Sequence, residues 1–517
     1  MNDMSPIHHR RWFVYFVFLF CAHFLSHFYP FERSSLGPDD YANLISSQNV
    51  EVSELPRRMI QNSDRPLNYA FLFGQFKIFG DNAQAGLIFN FLSSLILLCL
   101  VFLLFCQLMN SPHSAFLGAF IFCLLPHKLE TYHYPASVNI NLVTSIYILS
   151  VICFIRYIQK HSNLSLVISL LCYSIGIFWY EIGFFIPILL VLYTFLFKKR
   201  IPWSGFYYGI PMLSYTLYRL TGVFGMAGEN ALQHKFGFSA FFVTLLDLIH
   251  HYFGRYFIRN VLYGFYQFSF IEHPWLLSII FLNGLILVLF YRFMREHFTI
   301  QISQSLKLFM FGFFLITIAP VFLNTYGGIA GRHLLLPSIP VSIGIGAIIS
   351  KVFRRNHAFL CVIAILLIIS QGNGWAQIVS ARINGKVYET LRKKKEKLQD
   401  VKYVVFDTMS FAKNIPYSWR KNNFDILNTY YGAQTFEDQG LSVMPNLIIN
   451  KGNPKQVYIA IDTPQHLFSN TITFSISQPE AYRKVVKKSV TVPFDETMVI
   501  GFKDVFGNKF QQGKGGW

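Results

Sequence analysis

Two adjacent carboxylates, Asp39 and Asp40, follow Gly37-Pro38 a few residues after the first apolar run of the chain. Gly-Pro favours a defined turn, and a carboxylate held there can take the proton of a hydroxyl as a new bond forms to its oxygen. The plain alternative for an Asp pair is a solvated acidic loop. Arg65, Arg255, Arg259 and Arg332 have the opposite chemistry. A guanidinium forks two donors onto phosphate and stabilises negative charge in a low-dielectric setting. Arg255 and Arg259 are one helical turn apart on an amphipathic stretch, so anchoring to lipid headgroups is an equal alternative for them. Arg332 at a helix start has snorkelling as its alternative. Glu181 lies between two apolar runs, where a carboxylate is costly unless paired or functional. His127 and His133 bracket Glu130, with Lys128 between them. Without a third ligand, such a pair reads more readily as interfacial polar residues than as a metal site.

The elements that must position these residues are membrane helices. Of 517 residues, 53% are hydrophobic and 14% charged, with a mean hydropathy of +0.39. An ordinary soluble domain has roughly 25% charged residues, so a soluble reading is excluded. Candidate spans are 12–30, 84–108, 114–130, 138–155, 164–180, 182–197, 203–221, 274–291, 306–324, 334–350 and 357–373. The first follows His8-His9-Arg10-Arg11 without a small-residue cleavage site and reads as a retained helix. The net charge of +18 is a topology signal and not a nucleic-acid patch. With the N-terminus cytoplasmic, Arg156 and Lys160, Lys198 to Arg200, Arg292 and Arg295, and Lys351 with Arg354 and Arg355 all fall on the cytoplasmic side. All seven cysteines lie in apolar runs and no CxxC pair occurs, against disulfides and a cysteine-based metal site.

An eleventh crossing leaves the C-terminal tail outside, together with residues 31–83 and 222–273. The stretches 67–80 and 238–266 read as helices lying on the membrane surface. The tail opens with a helix-prone run, Leu391 to Leu398. It continues with strand-like runs at Tyr403–Phe406, Gln456–Ile461, Thr471–Ile476, Val485–Val492 and Met498–Phe502. The expected organisation is an α-helical polytopic membrane protein of about 11 transmembrane helices over residues 1–373, and a small external α/β or mainly β domain over 374–517.

On its motifs the chain resembles the GT-C superfamily of integral membrane glycosyltransferases. Asp39-Asp40 sits where those proteins carry an acidic residue or pair in the first external loop, and Arg65-Pro66 is similar to an Arg-Pro of several bacterial members. Pro126 to Glu130 with Tyr132 to Asn139, Trp179 to Phe184 with Pro187, and Gly331 to Ser338 resemble three further segments of the protein O-mannosyltransferase branch. Tyr180 stands where that branch has Lys, and His333 where it has an aromatic residue. The resemblance implies a polyprenyl-phosphate sugar as donor and a glycan, lipid or protein hydroxyl as acceptor, with transfer on the non-cytoplasmic face and inversion at the sugar carbon. Asp39 or Asp40 would then be the base. Arg65, Arg255, Arg259, Arg332 and His333 would serve the phosphate, with His127, Lys128, Glu130 and Glu181 in support. Some members use a divalent cation held by loop carboxylates and others none; this sequence does not choose. The tetratricopeptide repeats of that branch are absent. A bacterial inner membrane fits, with the N-terminus cytoplasmic and membrane lipid, but no nucleic acid, as a partner.

Two other classes stand beside this one. An O-antigen polymerase or ligase would place its large external loop between late helices, whereas here the large external segments come first and last. A transporter or flippase would show paired repeats and charges along an internal path. No repeat is visible here, and the charges collect at one face.

Overall fold

The computed structural model of the chain describes residues 6–32, 40, 43–44, 47, 50–61, 65–109, 111–126, 129–199, 203–221, 245–246, 248–250, 252, 254–294, 302–323, 331–352 and 356–393, and eight strands between 403 and 500. Helix α1 (Pro6–His23) runs into a π-helical turn, Phe24–Phe28. Next come α2 (Leu55–Gln61), α3 (Pro66–Phe79), α4 (Ala83–Leu108), α5 (Pro112–Leu124), the single turn α6 (Leu129–His133), α7 (Val138–Lys160) and α8 (Asn163–Trp179). A 3-10 turn, Glu181–Gly183, leads to α9 (Ile186–Lys198), and the 3-10 segment Trp203–Tyr208 leads to α10 (Gly209–Thr221). The remaining described helices are α11 (Arg255–Phe268), α12 (His273–Met294), α13 (Gln304–Leu323), α14 (Ser338–Val352) and α15 (Asn356–Lys393).

Among the described residues, five stretches are long and apolar enough to cross a membrane: Ala83–Leu108, Pro135–Lys160, Glu181–Lys198, His273–Arg292 and Ala358–Val379. Shorter apolar helices cover Trp12–Phe28, Pro112–Leu124, Asn163–Trp179, Gln304–Pro320 and Ser338–Lys351. Among the described residues, then, ten of the eleven candidate spans carry an apolar helix. The exception is 203–221, which divides into a 6-residue 3-10 segment and a 13-residue helix. Pro211 fits only the first turn of a helix because it lacks an N–H and clashes with the preceding turn, so the helix starts afresh at Gly209.

Inside lipid the helices gain nothing from hiding apolar surface, and association depends on close packing and small polar contacts. The α7–α8 hairpin shows both. Its two-residue connection is His161-Ser162, and Ser162 caps α8 by accepting from the Ser165 amide. Across the hairpin Ser150 Oγ donates to the Ser169 carbonyl at 2.8 Å, and Ser169 Oγ to the Ser150 carbonyl at 2.6 Å. Helices α7, α9, α12 and α14 all carry a basic residue in their last turn, namely Lys160, Lys198, Arg292 and Lys351. The residues that signal sidedness therefore also meet the negative end of each helix dipole.

The chain divides into two compact units. The first is Met1–Phe31, Ser53–Leu72 and Leu87–Trp375, and the second is Glu32–Val52, Phe73–Gly86 and Ala376–Trp517. Helix α15 continues for 38 residues, well past the expected end of the last span near 373. No proline interrupts 356–393, so nothing in the backbone chemistry stops the helix there. In the second unit Arg382 grips Glu32 with two bonds, Nε to Oε1 at 2.9 Å and Nη2 to Oε2 at 2.6 Å. That bond holds the Glu32 carboxyl below the usual range. Gly80 closes α3 at φ 57°, a left-handed position where a Cβ would be strained.

The tail carries strands β1 (Tyr403–Asp407), β2 (Leu441–Met444), β3 (Leu447–Asn450), β4 (Val457–Ile461), β5 (Pro464–Gln465), β6 (Thr471–Glu480), β7 (Lys484–Pro493) and β8 (Thr497–Ile500). One sheet has the order β2-β3-β4-β1-β8, with β1 parallel to both β4 and β8; the other is β5-β6-β7, antiparallel throughout. The five strand-like runs read from the sequence each fall on a strand, and β2, β3 and β5 are additional.

Candidate functional site

The break between α8 and α9 is built around one tyrosine. Tyr147, buried on α7, donates its hydroxyl to the Tyr180 carbonyl at 2.7 Å. Its ring lies against Gly176 and Gly183, and a Cβ at either would come within 2.6 Å of a ring carbon. Only glycine fits at these two places. Tyr173 donates to the Phe184 carbonyl at 2.8 Å on the far side of the turn. Backbone carbonyls freed by the helix break are thus satisfied by side chains, as buried polar groups require.

This turn presents Glu181. Arg65, at the entrance to α3, meets it as a bidentate pair with Nε to Oε2 at 2.7 Å and Nη2 to Oε1 at 2.5 Å. The Arg65 guanidinium also lies 4.0 Å above the centre of the Tyr180 ring. Tyr215 on α10 points its hydroxyl at Glu181 Oε2 from 3.5 Å, and Arg219 follows one turn on along the same helix. Arg219 Cζ is 6.0 Å from the Tyr215 ring centre. Three separate segments thus contribute two guanidiniums, a carboxylate and two phenol rings to one place. Such a group can hold a phosphate by forked donors while the carboxylate fixes the geometry of one of the arginines.

A second polar assembly holds the short helix α6. Asn141 on α7 donates to Asn90 Oδ1 at 2.7 Å and to the Thr131 carbonyl at 2.8 Å, and Asn90 donates to the Tyr134 carbonyl at 2.9 Å. Asn139 donates to Asn68 on α3. The loop that begins at Pro126 is thereby tied to α4 and α7, and α7 in turn to α3. In the segment from Gly331, Leu334, Leu335 and Leu336 are buried, Ser338 Oγ donates to the Leu334 carbonyl, and His333 is half-buried.

The sequence candidates are distributed as follows. Asp40 has helical backbone and is wholly buried, so it does not belong to a solvated acidic loop; it lies in the second unit. Asp39, His127 and Lys128 lie outside the described residues, as do the side chains of Glu130, Arg255, Arg259 and Arg332. Arg65 and Glu181, 116 residues apart, are brought together. Sequence reasoning missed Tyr215 and Arg219 because both fall inside the range 203–221, taken whole as a span. The signal was there in Arg219, a charge within a stretch otherwise free of it. Among the described residues, the only group of three or more metal-capable side chains is His23, His27 and Cys123.

Fold and site define a polytopic helical membrane protein with a charged cluster assembled from helix ends. No family model matches the sequence, and no curated protein matches it. Among solved structures the chain is similar to a crystal structure of ArnT from Cupriavidus metallidurans bound to undecaprenyl phosphate. That likeness covers 92% of this chain and 97% of that one at 10% identity, with a TM-score of 0.39. At that identity and score neither residue roles nor an activity pass from one protein to the other.

Proposed function

We propose that the protein is a membrane glycosyltransferase of GT-C type, which moves a sugar from a polyprenyl-phosphate donor to a cell-envelope glycan, lipid or protein hydroxyl on the non-cytoplasmic face. The observation that carries this reading is the convergence of Arg65, Glu181 and Tyr215 at the α8–α9 break, with Arg219 beside the Tyr215 ring. A carboxylate between two apolar runs is costly unless paired, and ionisable groups converging there are a functional-site reading by default; two guanidiniums suit the charge left on a lipid phosphate as the sugar departs. The motif resemblance supports the same reading, since Arg65 and Glu181 belong to two of its segments. The acceptor hydroxyl loses its proton to Asp39 or Asp40 as its oxygen bonds to the sugar carbon, and the lipid phosphate leaves from the opposite face with the bonding electrons. Arg219 and Arg65 stabilise that phosphate, and Glu181 orients Arg65.

The phosphate assignment is tested by steady-state kinetics on the purified protein with a polyprenyl-phosphate sugar. Arg219→Gln is expected to raise KM for the donor and lower kcat, with a total loss in kcat/KM of about 10- to 100-fold for one charge-assisted contact. Unchanged donor kinetics in that variant would remove the cluster from the phosphate site.

A further inference from the structure

Three potential ligands of soft metal ions meet outside the charged cluster. His23 ends α1, His27 lies in the π-helical turn that follows, and Cys123 is near the end of α5. Their exposures are 0%, 1% and 0%, and one ligand atom from each lies within 4.8 Å of the others. π-Turns inside helices are often found at functional places, and this one supplies His27.

The hydrogen bonds fix the tautomer of both imidazoles. Ser94 Oγ donates its proton to the Phe91 carbonyl at 3.0 Å, so at 2.7 Å it accepts from His23 Nε2–H. His23 therefore carries its lone pair on Nδ1, which lies 3.8 Å from Cys123 Sγ. His27 Nε2 is 2.7 Å from the Cys123 carbonyl, an acceptor only, so it too is protonated at Nε2 and has its lone pair on Nδ1. Outer-nitrogen hydrogen bonds of this kind fix the tautomer of metal-binding histidines and leave the other nitrogen as the ligating atom. With metal–nitrogen bonds near 2.0 Å and metal–sulfur near 2.3 Å, a nitrogen and a sulfur on one trigonal ion stand about 3.7 Å apart. The observed 3.8 Å already matches.

We infer that His23, His27 and Cys123 form a buried three-coordinate site for Cu(I). Two imidazoles and a thiolate suit soft or borderline ions. Charge chooses between the two common ones. A thiolate with Cu⁺ is neutral, whereas a thiolate with Zn²⁺ leaves a net charge in a wholly buried place, where it is expensive. The described donors number three, which completes a trigonal Cu(I) site and falls one short of the usual zinc tetrahedron. On binding, the Cys123 S–H bond breaks, its proton leaves for solvent and the sulfur pair bonds to copper. The ion arrives as Cu(I), so no electron changes hands.

The test is Cu(I) titration of the full chain in detergent under anaerobic reducing conditions, against a chromogenic Cu(I) chelator, with Zn²⁺ in a parallel series. One equivalent of Cu(I) is expected for the wild type and for Cys106→Ser, and none at matching affinity for Cys123→Ser. Ser94→Ala, which removes the acceptor from His23, is expected to weaken binding roughly 10- to 100-fold. X-ray absorption on the copper-loaded wild type, which needs no variant to fold, should show one sulfur and two nitrogen neighbours. A sulfur-free copper shell, equal binding by Cys123→Ser, or preference for zinc would each overturn the site.

Discussion

At the level of single residues the charged cluster is anchored by Arg65 and Glu181. A carboxylate in the gap between two apolar runs was legible as something that must be paired, because an isolated charge there is too costly. Its partner was not legible, since 116 residues separate the two and nothing local in the sequence joins them. Each side chain is about one-fifth exposed, so the pair is screened in part and lacks the full force of a dry interior. Glu181→Gln is expected to cost about 2 kcal/mol, the range of a charge-assisted hydrogen bond, seen as a lowered Tm in detergent. The double variant with Arg65→Gln should lose less than the two single losses added together. Strict additivity would mean that the two groups do not act on each other.

At the level of elements, hydropathy located an apolar helix in ten of the eleven candidate spans among the described residues. They failed at 203–221, where glycine and proline divide the apolar run, and after 373, where the loss of hydrophobicity was taken for the end of a helix that in fact continues. Hydropathy reports the solvent around a helix and not where its hydrogen bonds stop. How helices touch was hidden as well. Helices α11 and α15 cross at Gly264 and Gly372, where a Cβ on Gly372 would lie 1.8 Å from the Gly264 carbonyl oxygen, and Asn373 donates to the Asn260 carbonyl at 3.1 Å. Gly372→Ala must push the two helices apart and is expected to lower Tm by several degrees. Gly344→Ala on α14 meets nothing within 4 Å and should be neutral or stabilising by up to about 1 kcal/mol. Thermal melts of both in one detergent check the contrast, and equal behaviour would refute the close crossing.

At the level of the whole molecule, sidedness was read from basic loops, and the helices place those same residues in their last turns. Reporter fusions after Lys199 and Met294 are expected to be active on the cytoplasmic side, and one at the end of the tail on the opposite side; a cytoplasmic tail would reverse the proposed topology. The tail's strands were legible from alternating β-branched residues, but not the sheet order, because parallel pairing of β1 with β4 and β8 joins segments more than fifty residues apart. Of the charged cluster, Arg65 and Glu181 were visible as residues, while Arg219 was hidden within an apolar range.

Catalysis with Asp39 or Asp40 as base makes a direct demand on turnover. The measurement is transfer of labelled sugar from a panel of polyprenyl-phosphate donors, in membranes carrying equal amounts of the wild type, Asp39→Asn and Asp40→Asn. Turnover by the wild type with at least one donor, reduced about 100-fold or more in one of the two variants, is expected from the loss of a general base. No turnover with any donor, or full activity in both variants, would mean that neither carboxylate is the base of a polyprenyl-phosphate sugar transferase.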